Sequence, residues 1–79
     1  MSRIEELFGA VIRRRRERQG FSQEEFAAAA GVHRTYMSSI ERGKVQVSIA
    51  VAQKLADALE VPLSRVWKEI ETARQSSTD

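Results

Sequence analysis

Cysteine is absent from the sequence, and histidine occurs only once, at His33. The absence of cysteine excludes disulfide bridges and thiolate metal sites, and it is consistent with a reducing compartment. Without cysteine or clustered carboxylates around His33, neither a metal site nor a general-base role is expected there. The remaining residues do not suggest a catalytic set, which would combine a nucleophile, a general base and a residue that orients the base. We therefore expect a protein that is not an enzyme and that needs no metal or other cofactor.

Long apolar runs are also missing. No run approaches the roughly 20 residues that a membrane-spanning helix needs, and the first residues, MSRIEELF, lack the basic start and apolar stretch of a signal peptide. These absences predict a cytoplasmic protein with no membrane partner. No feature of the sequence indicates a small-molecule ligand.

The positive charge is concentrated rather than large. Thirteen Lys and Arg against eleven Asp and Glu give a net charge of only +2. Five arginines nevertheless stand almost side by side: Arg13, Arg14, Arg15, Arg16 and Arg18. A single arginine of this kind is equally well explained as part of a solvated helix face. The cluster as a whole favours contact with phosphate.

Few residues in the chain break helices, and those that do divide it into five segments. Gly20, Gly31, Gly43 and Pro62 separate stretches of helical periodicity, and no stretch alternates as a strand would. An all-α fold is therefore expected. The predicted helices cover about residues 2–19, 23–30, 33–42, 49–60 and 63–72, with N-caps at Ser22 and Ser48, and Ile4 and Ile49 fall on the apolar periods of the first and fourth helices.

Residues 23–42, QEEFAAAAGVHRTYMSSIER, fit the twenty-residue template of a helix-turn-helix unit. Ala27 is small enough for two helices to cross closely, and Gly31 can take the positive φ of the turn between them. The positions that must face inward are all apolar: Phe26, Ala30, Val32, Met37 and Ile40. The unit predicts that the third helix is a recognition helix, which enters DNA.

The side chains that this arrangement leaves outside are suited to phosphates and base edges. Arg34 is the first candidate for base recognition because a guanidinium can bond guanine O6 and N7 together, and the alternatives for it are phosphate or solvent. Thr35 can contact thymine, whereas Tyr36 either bonds a phosphate or packs against the second helix. Gln23 either binds phosphate or is an ordinary first residue of a helix. The complete set of predicted DNA contacts is Gln23, His33, Arg34, Thr35, Tyr36, Ser39, Lys44 and Gln46.

At 79 residues the chain fits one domain, near the size at which a single core is only marginally stable without oligomerisation or very regular helices. We expect residues 1–72 to form the DNA-binding and dimerisation domain, and residues 73–79 to be a frayed or disordered polar tail. Trp67 either seals the core or forms part of a dimer patch. The residues predicted to support a homodimer are Leu59, Val61, Leu63, Val66, Trp67 and Ile70.

From about Val11 to Trp67, the pattern RRRRERQGFSQEEFAAAAGVHRTYMSSIERGK, a loop, and SIAVAQKLADALEVPLSRVW resembles the phage-repressor and Cro-like helix-turn-helix family. The stretch GVHRTYMSSIERGK is similar to the controller proteins of restriction-modification systems. The resemblance implies that Arg34, Thr35 and Tyr36 contact operator DNA, and that Arg16 and Glu41 form a structural ion pair.

The chain departs from the controller pattern in one place. Controller proteins often have Arg-Asn in the loop after the third helix, where this chain has Val45 and Gln46. The departure implies that one usual contact with the DNA backbone is missing.

Together these features predict a homodimeric, sequence-specific regulator of transcription. Two-fold symmetry implies half-sites of a pseudo-palindromic operator about 10 bp apart, or a multiple of that spacing. The resemblance further implies activation at one occupancy and repression at another, which would time endonuclease expression after the methylase. RNA polymerase is a further candidate partner. The alternatives are an antitoxin-type autorepressor and a protein-interaction module without DNA binding, although the arginine run and Arg34 argue against the latter.

Overall fold

The computed structural model describes residues 3–76, and five helices account for most of them. In chain order these are α1 (Ile4–Arg18), α2 (Gln23–Ala30), α3 (Arg34–Glu41), α4 (Ile49–Leu59) and α5 (Leu63–Ser76). No strand occurs between residues 3 and 76. The predicted all-α, five-helix fold is therefore confirmed. No helix in this part of the chain is long and apolar enough to cross a membrane.

Local side-chain chemistry sets the start of α2 and α4. The hydroxyl oxygen of Ser22 accepts a hydrogen bond from the Glu25 amide at 3.0 Å, and the Ser22 amide donates to a Glu25 carboxylate oxygen at 2.9 Å. This reciprocal pair is a capping box. Phe21, just before it, packs its ring 5.5 Å from that of Phe26. Ser48 caps α4 in the same way by accepting from the Val51 amide at 3.1 Å.

Several helix ends differ from the prediction. His33 and Arg42 are the caps of α3 rather than its first and last residues. α5 continues to Ser76, so residues 73–76 are helical and not frayed, and the prediction for this part of the tail is wrong. Ala73 is half-buried in this last turn, and the Ser76 hydroxyl donates to the Thr72 carbonyl at 3.1 Å. Ser2, at the predicted start of the first helix, and residues 77–79 lie outside the described residues.

α1 is the central helix of the domain, since it packs against α3, α4 and α5. Its contact with α3 is very close at Gly9. A Cβ atom at this position would lie 2.2 Å from the carbonyl oxygen of Ile40 and 2.8 Å from that of Glu41. Only glycine therefore allows α1 to approach the C-terminal end of α3 in this way, and the spacing of these two helices positions the helix-turn-helix unit.

The burial of the C-terminal half corrects the predicted dimer surface. Leu59, Val66 and Ile70 are fully buried in the core of the single chain, together with residues from the other helices. A side chain with no exposed surface cannot contact a second copy unless the core opens, so the prediction is wrong for these three residues. Val61 and Leu63 are half-buried at the edge of the core. Trp67 differs from all of them, because 47% of its surface is exposed.

Candidate nucleic-acid interface

The turn between α2 and α3 is closed by backbone hydrogen bonds and by one left-handed residue. Gly31 adopts φ 72°, and the amide of Val32 donates to the carbonyl of Ala27 at 3.0 Å. This geometry is typical of the left-handed C-terminal cap of a helix. It reverses the chain within three residues and directs α3 across α2.

His33 caps α3 with its side chain. The ring nitrogen Nδ1 accepts a hydrogen bond from the Thr35 amide at 3.2 Å. A nitrogen that accepts carries no proton, so the neutral ring has its N–H at Nε2, which remains free to donate. The sequence marked His33 as an exposed residue of the recognition helix but gave no sign of this capping role, because histidine is not among the preferred N-cap residues.

The two sides of α3 differ sharply in burial. Met37 and Ile40 are completely buried on the inner side. Arg34 and Thr35 are exposed at the N-terminal end, and their side chains have no hydrogen-bond or ion-pair partner among residues 3–76. Tyr36 is half-buried and packs against the core. The N-terminal end of α3 therefore presents a guanidinium and a hydroxyl without internal partners. In helix-turn-helix proteins this end of the recognition helix makes the base contacts.

A nearly buried ion pair holds α3 against α1. Arg16 donates from Nε to Glu41 Oε2 at 2.7 Å and from Nη2 to Glu41 Oε1 at 3.1 Å, while its Nη1 donates to the carbonyl of Phe21 at 2.8 Å. The two side chains are only 9% and 4% exposed. The hydrogen bonds with Glu41 raise the pKa of Arg16 above its ordinary value, so the guanidinium stays charged although it is buried. This is the ion pair that the family resemblance implies.

Gln23 joins the same network. Its side-chain amide donates to Glu41 Oε1 at 3.1 Å, so a residue at the start of α2 is tied to the last residue of α3. From the sequence, Gln23 was a candidate phosphate contact or an ordinary first residue of a helix, and its bond to Glu41 was not indicated. A carboxamide nitrogen has two N–H groups, and one of them remains available after the bond to Glu41.

The arginine run is divided among several partners. Four of the five arginines form ion pairs within the chain: Arg13 with Glu17, Arg14 and Arg15 with Glu69, and Arg16 with Glu41. Arg18 is exposed and has no ion pair within residues 3–76. Because successive arginines point in different directions around α1, the run does not present one cationic face to a single phosphate backbone.

The loop after α3 contains two further predicted DNA contacts. Lys44 is exposed, and its ammonium group has no partner in the described chain. Gln46 instead hydrogen-bonds to the carboxylate of Glu5, whose pKa is lowered first by its own backbone amide and also by the Gln46 side chain. Ser39 is half-buried on α3. The polar groups of Lys44 and Ser39 thus have no side-chain partner within residues 3–76, whereas that of Gln46 does.

An apolar groove of about 730 Å³ lies outside the helix-turn-helix unit, since no residue of α2 or α3 lines it. Its apolar lining comes from the first, fourth and fifth helices and the loop before α4, and includes Ile4, Phe8, Val47, Ile49, Leu63 and Trp67. Ile49 is 84% exposed, although its position in the apolar period of α4 placed it with the core residues. Gln46 and Glu5 also line the groove, so the predicted contact Gln46 lies next to this apolar surface.

Comparison with known proteins agrees with this geometry. A family described as Helix-turn-helix matches residues 12–66. Control protein C.MunI of Mycoplasma sp is 40% identical over 72 residues, which cover 90% of this chain and 97% of that protein. Control protein C.BamHI of Bacillus amyloliquefaciens is 43% identical over 56 residues, 70% of this chain and 69% of that protein.

Among solved structures, the restriction-modification controller protein C.AhdI from Aeromonas hydrophila superposes with a TM-score of 0.76 at 35% sequence identity. The match covers 78% of this chain and 94% of that one. The family match over residues 12–66 includes the whole helix-turn-helix unit, all of α4, the second half of α1 and the start of α5. The chain therefore belongs to the helix-turn-helix family of DNA-binding transcriptional regulators, with restriction-modification controller proteins among its relatives.

Proposed function

We propose that this protein is a controller of a restriction-modification system, which binds a pseudo-palindromic operator as a homodimer and regulates transcription from it without enzymatic activity. The exposed N-terminal end of α3 supports the proposal most directly. Arg34 and Thr35 stand there without internal partners, on a helix whose other side is anchored in the core. The relationship to control proteins over most of the chain supports the choice of regulated system.

Base recognition falls to Arg34 and Thr35 in this proposal. The guanidinium of Arg34 bonds O6 and N7 of a guanine in the major groove, and Thr35 offers its methyl group to thymine or its hydroxyl to a base edge. His33, which precedes them, can donate its Nε2 N–H to a nearby phosphate because Nδ1 is already engaged by Thr35.

The phosphate contacts fix the register of α3 in the groove. Gln23 donates its second amide hydrogen to a phosphate at the positive end of α2, while Glu41 holds the side chain in place. Lys44 contributes an ammonium group from the loop. Tyr36, Ser39 and Gln46 complete the proposed set, with the tyrosine hydroxyl reaching a phosphate from a ring that packs on the core.

Self-association is proposed to use the apolar groove. Ile49 and Trp67 line the groove together and are 84% and 47% exposed, so two large apolar side chains are left in water at one site. Covering this surface with the same surface of a second copy gives a two-fold dimer. Half-sites about 10 bp apart follow from that symmetry. We place the protein in the cytoplasm with its DNA, and RNA polymerase is its proposed partner in activation.

A selection of bound DNA tests the proposal. Purified protein is mixed with duplexes that have a random core at near-physiological salt, and the bound fraction is sequenced. Phosphate contacts alone cannot enrich a motif, whereas base contacts can. We expect a two-fold motif with half-sites one helical turn apart. Binding without enrichment would contradict the proposal and favour a protein-interaction module.

A further inference from the structure

A second concave surface lies between α1 and α5. It is an open depression of about 480 Å³, and its charged lining consists of Arg14, Arg18, Arg65, Lys68 and Glu69. We call it the α1–α5 pocket. Two helices that are more than forty residues apart in sequence contribute its cations, so the charge arises from the fold and not from the arginine run alone.

The positive charge of the α1–α5 pocket is largely unpaired. Arg18, Arg65 and Lys68 make no side-chain hydrogen bond or ion pair with residues 3–76. Glu69 is the single acid in the lining, and Arg15 and Arg14 already pair with it. Four cations therefore share a concave surface in which the one carboxylate is already neutralised.

The pocket faces away from the recognition helix. Two residues advance a helix by about 200°, so Arg14 and Arg18 lie nearly opposite to Arg16 on α1. Arg16 contacts Glu41 at the end of α3, and α1 packs between α3 and α5. A duplex held by the exposed side of α3 is therefore separated from the pocket by the body of α1.

We infer that the α1–α5 pocket docks an acidic segment of a partner protein while α3 holds DNA. The inference rests on the proposed function only in taking the exposed side of α3 as the DNA side. Guanidinium groups bind carboxylates through paired hydrogen bonds, and a concave site with two free arginines and a lysine suits two or three neighbouring Asp or Glu side chains. A duplex fits less well, because a protein that follows the backbone uses an extended set of phosphate contacts.

Two matched triple variants test this inference. Arg18→Gln, Arg65→Gln and Lys68→Gln together neutralise the pocket, and Arg34→Gln, Arg42→Gln and Lys44→Gln remove the same charge from α3 and its following loop. The first probe is a fluorescein-labelled peptide of eight glutamates, measured by fluorescence anisotropy at about 0.1 M salt. The second is the duplex that the wild-type protein selects. Circular dichroism confirms that both variants remain helical.

The two variants should separate the two kinds of binding. We expect the pocket variant to bind the peptide about tenfold more weakly and to keep its duplex affinity. The α3 variant should lose duplex affinity and keep peptide binding. Equal loss of peptide binding in both variants, or no peptide binding by the wild type, overturns the inference.

A different result would assign the pocket to nucleic acid. If the pocket variant loses duplex affinity as strongly as the α3 variant, the phosphate backbone passes over this surface and the protein partner is excluded. Failure of the proposed function would give a different result. The wild-type protein would then select no duplex, whether or not the peptide binds the pocket.

Discussion

Glu41 is the residue on which the geometry of the helix-turn-helix unit depends most. It ends α3, receives two hydrogen bonds from Arg16 of α1 and one from Gln23 of α2, and is almost completely buried. A buried carboxylate is tolerated because its charge is paired and its oxygens are hydrogen-bonded. One side chain thus fixes the orientation of the recognition helix and the position of a proposed phosphate contact.

Breaking the Arg16–Glu41 pair should destabilise the fold strongly. In Arg16→Met, the carboxylate of Glu41 stays in a nearly buried site without its cation, and we expect a loss of about 3 kcal/mol in the free energy of unfolding. Urea denaturation followed by circular dichroism measures it. The double variant Arg16→Met with Glu41→Leu removes both charges and should recover much of the loss. A double variant as unstable as the single one would contradict the pairing argument.

Arg34 should determine sequence discrimination without contributing to stability. Its side chain is exposed and makes no internal bond, so Arg34→Ala should leave the unfolding transition unchanged. We expect the preference for the selected operator over random duplex to fall by about 1 to 3 kcal/mol, because a bidentate guanine contact is lost. Competition binding with the two duplexes measures this preference.

Arg42→Ala is the matched control for this substitution. Arg42 is an exposed arginine at the opposite end of α3, where its Nε lies 3.4 Å from the Ser38 carbonyl oxygen. Its removal takes one positive charge from the end of α3 without removing a proposed base contact, so binding to both duplexes should weaken about equally. If Arg34→Ala also weakens both duplexes equally, Arg34 contacts phosphate and not a base.

The inward-facing residues of the unit could be predicted from the sequence, whereas the partners of its polar residues could not. Phe26, Met37 and Ile40 are buried as the template requires, because helical periodicity is a local property of the chain. Gln23 and Gln46, by contrast, bond to Glu41 and Glu5. Residues that are distant in sequence come together only after the helices have packed, so spacing alone does not reveal these bonds.

At the scale of the helix, the starts that a serine cap marks could be predicted from the sequence. Ser22 and Ser48 are the N-caps of α2 and α4, and each accepts a backbone hydrogen bond from the third residue after it. The C-terminal end of α5 has no such signal. Its last turn is polar apart from the half-buried Ala73, so neither a cap residue nor an apolar period marks where the helix stops.

The capping box should make the stability of α2 depend on pH. Hydrogen bonds from the backbone amide of Ser22 and then from its hydroxyl lower the pKa of Glu25 below its usual value of 4.5. A carboxyl group with a lowered pKa in the fold stabilises it above the unfolded value, and this contribution is lost as pH falls through the folded value. Wild-type stability should therefore decrease on acidification below about pH 4.5.

Glu25→Gln isolates this contribution, because the amide oxygen still accepts the hydrogen bond but does not titrate. The stability difference between wild type and this variant should shrink as pH falls from about 6 to 3. Thermal melts in that pH range measure it. Glu24→Gln is the matched control, since Glu24 is an exposed neighbour with no side-chain hydrogen bond in residues 3–76. A difference that stays constant with pH would show that the Glu25 carboxylate does not favour the cap.

At the scale of the whole molecule, an apolar period does not distinguish core from interface. Leu59 and Ile49 both lie on the apolar period of the fourth helix, yet the first is buried and the second is 84% exposed. Neighbouring helices cover the C-terminal half of α4. Its first turn instead lines the groove, together with Ile4 of α1 and Trp67 of α5. The groove exists only after α1, α4 and α5 have packed, and for this reason the sequence placed the dimer surface partly on core residues.

Substitutions in the groove should therefore weaken the dimer without unfolding the monomer. Trp67→Ala and Ile49→Ala remove exposed apolar surface, and we expect each to reduce dimer stability by on the order of 2 kcal/mol, the effect of losing a central interface residue. Sedimentation velocity at micromolar concentration measures the shift toward monomer. Leu59→Ala, which creates a cavity in the core, is the contrasting variant and should lower the unfolding free energy by about 2 to 5 kcal/mol. A dimer of unchanged strength in both groove variants would exclude the groove as the contact surface, and the two-fold operator would then require a different face of the domain.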